Sequence, residues 1–142
     1  LLHGVEAGRP PAVDLEAEAA LCALLRQSRR AGWLSGCHDL ADGGLLLALA
    51  ECAMVRGIGL RAAVDCGPLA LFSEGQARAI VTVPAGRTED LLAAAEAGGV
   101  AAREIGDVGG DRLVLDFDGG AVDGAVDELR RVWREALPRA VG

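Results

Sequence analysis

The sequence predicts an α+β domain: a mixed or antiparallel sheet of about four to five strands covered by helices. Three observations lead there. Several segments repeat apolar residues with helical spacing. Shorter segments with strand character come in pairs, not in strict β-α-β-α alternation. Glycine and proline clusters separate the segments.

Residues 1–13 read as an extended lead-in, because Gly4, Gly8, Pro10 and Pro11 disfavour regular structure. The domain proper is expected over 14–142. Asp14 can cap a helix running to about Ala31, with Glu16 and Glu18 in its first turn and Arg26, Arg29 and Arg30 in its last. Leu21, Leu24 and Leu25 give it an apolar stripe, and Gly32 stops it. A short segment, Trp33 to Cys37, leads to His38. A second helix is predicted from about Gly43 to Arg56, apolar over most of its circumference. Alternation from Ile58 to Val64 reads as a strand, and Gly67-Pro68 as a turn. A further strand is expected from Ala77 to Val83, then a helix from Thr88, its cap, to Ala97. Val100 to Val108 and Arg112 to Phe117 read as strands joined through Gly109-Gly110-Asp111, which has hairpin chemistry. The last helix is expected from about Ala121 to Leu137, ended by Pro138.

With 142 residues and 51 % hydrophobic content, the chain can bury one core, and 3 % aromatic content makes that core mostly Leu, Val and Ala. The formal charge of -7 argues against general nucleic-acid binding and against docking on an anionic membrane. No apolar run is long enough for a membrane span. There is no Lys, which excludes a P-loop lysine and Schiff-base chemistry within these residues. Cys22, Cys37, Cys52 and Cys66 form no C-x-x-C pair and read as reduced structural cysteines of a cytoplasmic protein. The chain opens on Leu1 and no signal peptide is visible, so it is expected to be a fragment of something longer.

Two segments carry candidate chemistry. In His38-Asp39-Leu40-Ala41-Asp42-Gly43-Gly44, Asp42 can cap the second helix, and Gly43 and Gly44 can leave amides open to an anion. Asp39 and Asp42 have the oxygen ligands that Mg²⁺ prefers, and His38 can serve as acid, base or carboxylate partner. The plainer alternative is a helix cap with an interlocked His–Asp turn. In Phe72-Ser73-Glu74-Gly75-Gln76-Ala77-Arg78, the polar groups of Ser73, Glu74, Gln76 and Arg78 suit recognition of a small ligand or a partner domain; the alternative is an ordinary loop anchored by Phe72. Zinc spacing, a G-x-S-x-G turn and an EF-hand loop are all absent, and no residue is assigned a catalytic or metal-binding role.

The run His38 to Leu45, continuing to Leu49-Ala50-Glu51, resembles the C-terminal domain of the AIR synthase superfamily. That superfamily includes aminoimidazole ribonucleotide synthetases, selenophosphate synthetases, hydrogenase maturation proteins, thiamine-monophosphate kinases and formylglycinamidine ribonucleotide synthases. Ala70 to Arg78, the lead-in Gly8 to Leu15 and the tail Trp133 to Pro138 are similar to the second copy of this domain in the last group. The resemblance implies a parent ligase of purine biosynthesis. It would use ATP, Mg²⁺ and glutamine-derived ammonia to convert formylglycinamide ribonucleotide to formylglycinamidine ribonucleotide, with ADP and phosphate as products. Its implied partners are the N-terminal ATP-binding domains of the same chain and the separate glutaminase and small accessory subunits.

In the first copy of the domain a Glu-Ser-Gln run contacts the ribonucleotide. The matching positions are Glu74, Gly75 and Gln76, and Gly75 lacks the middle hydroxyl. The resemblance places the catalytic His and the main ATP and Mg²⁺ ligands outside this chain, so no cofactor is assigned to these residues. It implies a domain that braces and shapes the nucleotide-binding domains. His38, Asp39, Asp42, Gly43, Gly44, Ser73, Glu74, Gln76 and Arg78 remain substrate- or domain-interface candidates. The alternatives are the same domain from another superfamily member, or a non-catalytic interaction module.

Overall fold

The computed structural model describes residues 12–142. Most of the expected lead-in, with His3, lies outside the described residues.

The first helix, α1 (Leu15–Arg30), starts where its cap dictates: the Asp14 carboxylate accepts the amides of Glu16 and Ala17, each at 3.0 Å. Acidic residues in its first turn and arginines in its last complement the helix dipole. Strand β1 (Gly36–Asp39) follows, then α2 (Gly44–Arg56), ended by Gly57 in left-handed backbone. Strand β2 (Leu60–Val64) alternates buried and exposed residues. The short α3 (Pro68–Leu71), β3 (Ala79–Thr82) and α4 (Thr88–Ala97) come next. The chain closes with β4 (Gly106–Val108), β5 (Arg112–Phe117), β6 (Gly120–Ala125) and α5 (Val126–Val141).

The strands form two sheets. One has the order β4-β2-β5-β6, mixed because β2 and β5 run parallel; the other is the antiparallel pair β1-β3. The main core packs α2, α3 and the start of α5 on the four-stranded sheet, around Leu49, Leu71, Leu113, Leu115 and Val126. Each such side chain contributes about 1.5–3 kcal/mol by leaving water. A smaller core, Leu24 of α1 with Leu91 and Ala95 of α4, packs with Val81 and Val83 at β3.

The α+β class holds, with corrections in the elements. Among the described residues six strands form two sheets, of four and two, where one sheet of about four to five strands was expected. Gly109-Gly110 is not a hairpin turn, because β2 lies between β4 and β5. The Gly59 amide donates to the Gly110 carbonyl, and the Gly109 amide to the Gly59 carbonyl, both at 2.8 Å. A side chain on Gly59 would collide with the Arg112 backbone. The strand expected from Val100 shrinks to Gly106–Val108. The segment expected to start the last helix at Ala121 is β6, whose pairing with β5 across Asp118-Gly119 overrides helical spacing. Pro138 lies inside α5: it withholds one amide, but its carbonyl still accepts the Gly142 amide at 3.0 Å. Thr88 makes no cap bond, and Arg87 occupies the cap position. The Gly67-Pro68 turn opens directly into α3, with Pro68 at its first position.

Candidate functional site

Pairing of β1 with β3 brings the two candidate segments together. Asp39 lies opposite Ala79, and the Leu40 amide donates to the Arg78 carbonyl at 3.1 Å. Between them and α1 runs a groove of about 520 Å³, lined in part by Glu18, Asp39, Asp42, Glu74, Gln76 and Arg78.

The second segment is tied down at several points. The Glu74 carboxylate accepts the Gly43 amide at 3.0 Å. Arg78 Nη1 donates to the Ser73 carbonyl at 3.2 Å, so Ser73 enters through its backbone. Glu18 Oε1 accepts the Ala77 amide at 2.7 Å.

These contacts change the expected chemistry of the first segment. Asp42 does not cap α2; the cap position is Gly43, in left-handed backbone with φ 77° and no side chain to offer a cap bond. Glu74, distant in sequence, takes the Gly43 amide, so that donor is not open to an anion. Gly44 is buried and φ is 65°; a Cβ there would sit 2.6 Å from the Leu71 carbonyl oxygen and 2.8 Å from that of Ser73. Gly44 therefore serves close packing of α2 against the 71–73 backbone, a Cβ on Gly43 would sit 2.7 Å from the Leu47 side chain, and the pair is not an exposed anion cradle.

His38 is not among the residues that line this groove. Its Nδ1 donates to the Asp39 carbonyl at 2.6 Å, and Nε2 lies 3.2 Å from Glu51 Oε2 on α2. Both ring nitrogens face oxygens, so the ring links β1 to α2. Glu51 is the partner that turns the expected His–Asp interlock into a three-residue one, with Asp39 Oδ1 at 3.6 Å.

The Cys52 and Cys37 thiols are disfavoured as nucleophiles. Burial, then the Glu51 carboxylate, then Cys37 push the Cys52 thiol up from its ordinary value. Partial burial, then Asp39, does the same at Cys37. Cys22, Cys37, Cys52 and Cys66 are all free. Among the described residues, no group of three or more His, Cys, Asp or Glu side chains is gathered as a metal site would require. With no lysine and the Gly43 amide taken, these residues do not fit ATP with Mg²⁺. The groove presents exposed Asp39, Asp42 and Gln76 beside the half-buried Arg78.

Glu18 was missed as a groove residue. Its place in the first turn accounts for it as a dipole acid, yet its spacing to Leu21, Cys22 and Leu25 is 3, 4 and 7 residues. All four line the groove from one face of α1.

The chain's relatives agree with this architecture. The family model described as "AIR synthase related protein, C-terminal domain" matches residues 2–118, and the chain belongs to that family. Within it, the chain is 43 % identical over 143 residues to the phosphoribosylformylglycinamidine synthase subunit PurL of Nocardioides sp., covering all of this chain and 18 % of the relative. It is 41 % identical over 140 residues to the PurL subunit of Moorella thermoacetica, covering 96 % of this chain and 19 % of the relative. The chain thus spans about a fifth of the length of these relatives. T. maritima PurL complexed with FGAR has the same fold, with a TM-score of 0.78 and 22 % identity over 90 % of this chain and 23 % of that one. PurLQS from Thermotoga maritima superposes with a TM-score of 0.72 and 23 % identity, over 89 % and 23 % of the two chains.

Proposed function

We propose that these residues are the C-terminal domain of a phosphoribosylformylglycinamidine synthase. The whole enzyme converts formylglycinamide ribonucleotide, ATP and ammonia to formylglycinamidine ribonucleotide, ADP and phosphate. The observation that carries this reading is 43 % identity along the whole chain to one part of a PurL subunit.

The domain's own share is to brace and shape the nucleotide-binding domains. Its polar groups are already engaged in holding its own backbone: Glu74 on Gly43, Glu18 on Ala77, Arg78 on Ser73. A rigid, polar face of this kind suits a domain interface. Asp39, Asp42, Gln76 and the outer edge of Arg78 are the groups left to meet it. ATP and Mg²⁺ are held by the other domains of the longer chain. The partners are those domains, together with glutaminase and small accessory subunits; the likeness to PurLQS from Thermotoga maritima supports an assembly. The setting is the cytoplasm; among the described residues no helix is long and apolar enough to cross a membrane.

The test is an assay of ATP-dependent amidine formation from formylglycinamide ribonucleotide and ammonium. The full-length chain is active. Residues 1–142 alone are inactive, and the chain lacking them loses activity. Activity in the isolated 142 residues, or undiminished activity without them, overturns the proposal.

A further inference from the structure

Ala77 is the one described non-glycine residue with positive φ, at 54°. A residue with a Cβ is disfavoured there and stays only where its surroundings hold it. Glu18 supplies the hold. Its carboxylate reaches across from α1, 59 positions away in sequence, and accepts the Ala77 amide at 2.7 Å in a half-buried setting.

We propose that Glu18 is a positioning residue for the 73–78 segment: by fixing Ala77 in left-handed backbone it sets where Gln76 and Arg78 stand in the groove. The other ties act elsewhere. Glu74 fixes the segment's start on Gly43, and the Arg78 carbonyl fixes its end on the Leu40 amide. Among the described residues, only Glu18 bonds to the residue whose backbone is unfavourable. The helix dipole favours acids in the first turn, Glu16 and Glu18 alike, but does not account for the Glu18 carboxylate reaching the Ala77 amide.

The consequence is a two-part recognition element. The motif residues supply the groups that face the groove, and a residue outside both motifs sets their backbone. Charge matters as well as shape: a carboxylate accepts an amide more strongly than a neutral oxygen does. Glutamine at position 18 keeps an acceptor, and alanine removes it.

This inference deepens the proposed function by assigning an organiser to the same face. The experiment is hydrogen exchange read by mass spectrometry on the full-length chain, comparing wild type, Glu18→Ala, Glu18→Gln and Ala77→Gly with and without Glu18→Ala. In Glu18→Ala, exchange in peptides spanning 73–79 rises about tenfold or more while β5 peptides keep their rates. Glu18→Gln recovers most of the protection. The effect of Glu18→Ala shrinks in the Ala77→Gly background, where positive φ no longer carries a side-chain penalty. Unchanged exchange over 73–79, a uniform rise across the molecule, or equal effects of Gln and Ala each overturn the proposal. Amidine formation measured on the same samples tests the functional reading separately: unchanged kinetics with faster exchange at 73–79 counts against the role of this face and leaves the role of Glu18 standing.

Discussion

Two residues show how tightly single positions are specified. Gly44 combines positive φ with a Cβ position already filled by the 71–73 backbone. Both costs fall on any substitution, so Gly44→Ala lowers stability by about 2–4 kcal/mol. A urea unfolding midpoint checks this; a change under about 1 kcal/mol would mean that the loop moves aside. Ser28 is the opposite case. It is 0 % exposed, and its hydroxyl has no partner among the described residues. An orphaned buried hydroxyl costs about 1–3 kcal/mol, so Ser28→Ala raises the midpoint; a drop would reveal an unseen partner. The start of α2 was legible at this scale, since Gly43-Gly44 precede an apolar run. The partners of Gly43 and His38, Glu74 and Glu51, were not. Nothing local ties position 43 to position 74; that contact exists only after β1 finds β3.

Among the elements, helices with strong caps and periodic apolar faces were readable, and short strands were not. Asp14 sets the start of α1 as its side chain predicts. Strand β6 was read as helix because Ala121, Val122 and Ala125 fall in phase with the apolar face of α5. The stronger signal was Asp118-Gly119, a two-residue hairpin turn with Gly119 at positive φ. Helix α5 itself shows a face only partly used. Val126 is buried and Leu129 packs on the main core, but Trp133, Leu137 and Val141 further along the same side are exposed. Leu137 is 70 % exposed, so Leu137→Glu changes the stability of this chain by less than about 0.5 kcal/mol. Thermal unfolding checks it; a loss above about 1.5 kcal/mol would mean that the outer half of α5 is packed in solution.

At the scale of the whole molecule, composition makes an unusually clean pH experiment. The chain has no Lys and no Tyr, whose titrations would otherwise overlap those of the raised Cys37 and Cys52 thiols. Cys37 and Cys52 have folded values raised above the ordinary 9.0, mainly by burial. Below that ordinary value both thiols keep their protons in folded and unfolded chains alike, and their contribution to stability is fully present. As pH rises past it, the unfolded chain releases thiol protons that the folded chain still holds. Folded protein then binds more protons than unfolded, so stability falls with rising pH and continues to fall through the raised folded values. The two thiols lie on separate elements, Cys37 on β1 and Cys52 on α2. Urea midpoints measured under reducing conditions between pH 7 and 10.5 therefore decline above about pH 9. Replacing both residues, Cys37→Ser and Cys52→Ala, flattens that decline; an equally steep fall in the double variant would assign it to groups other than these two thiols.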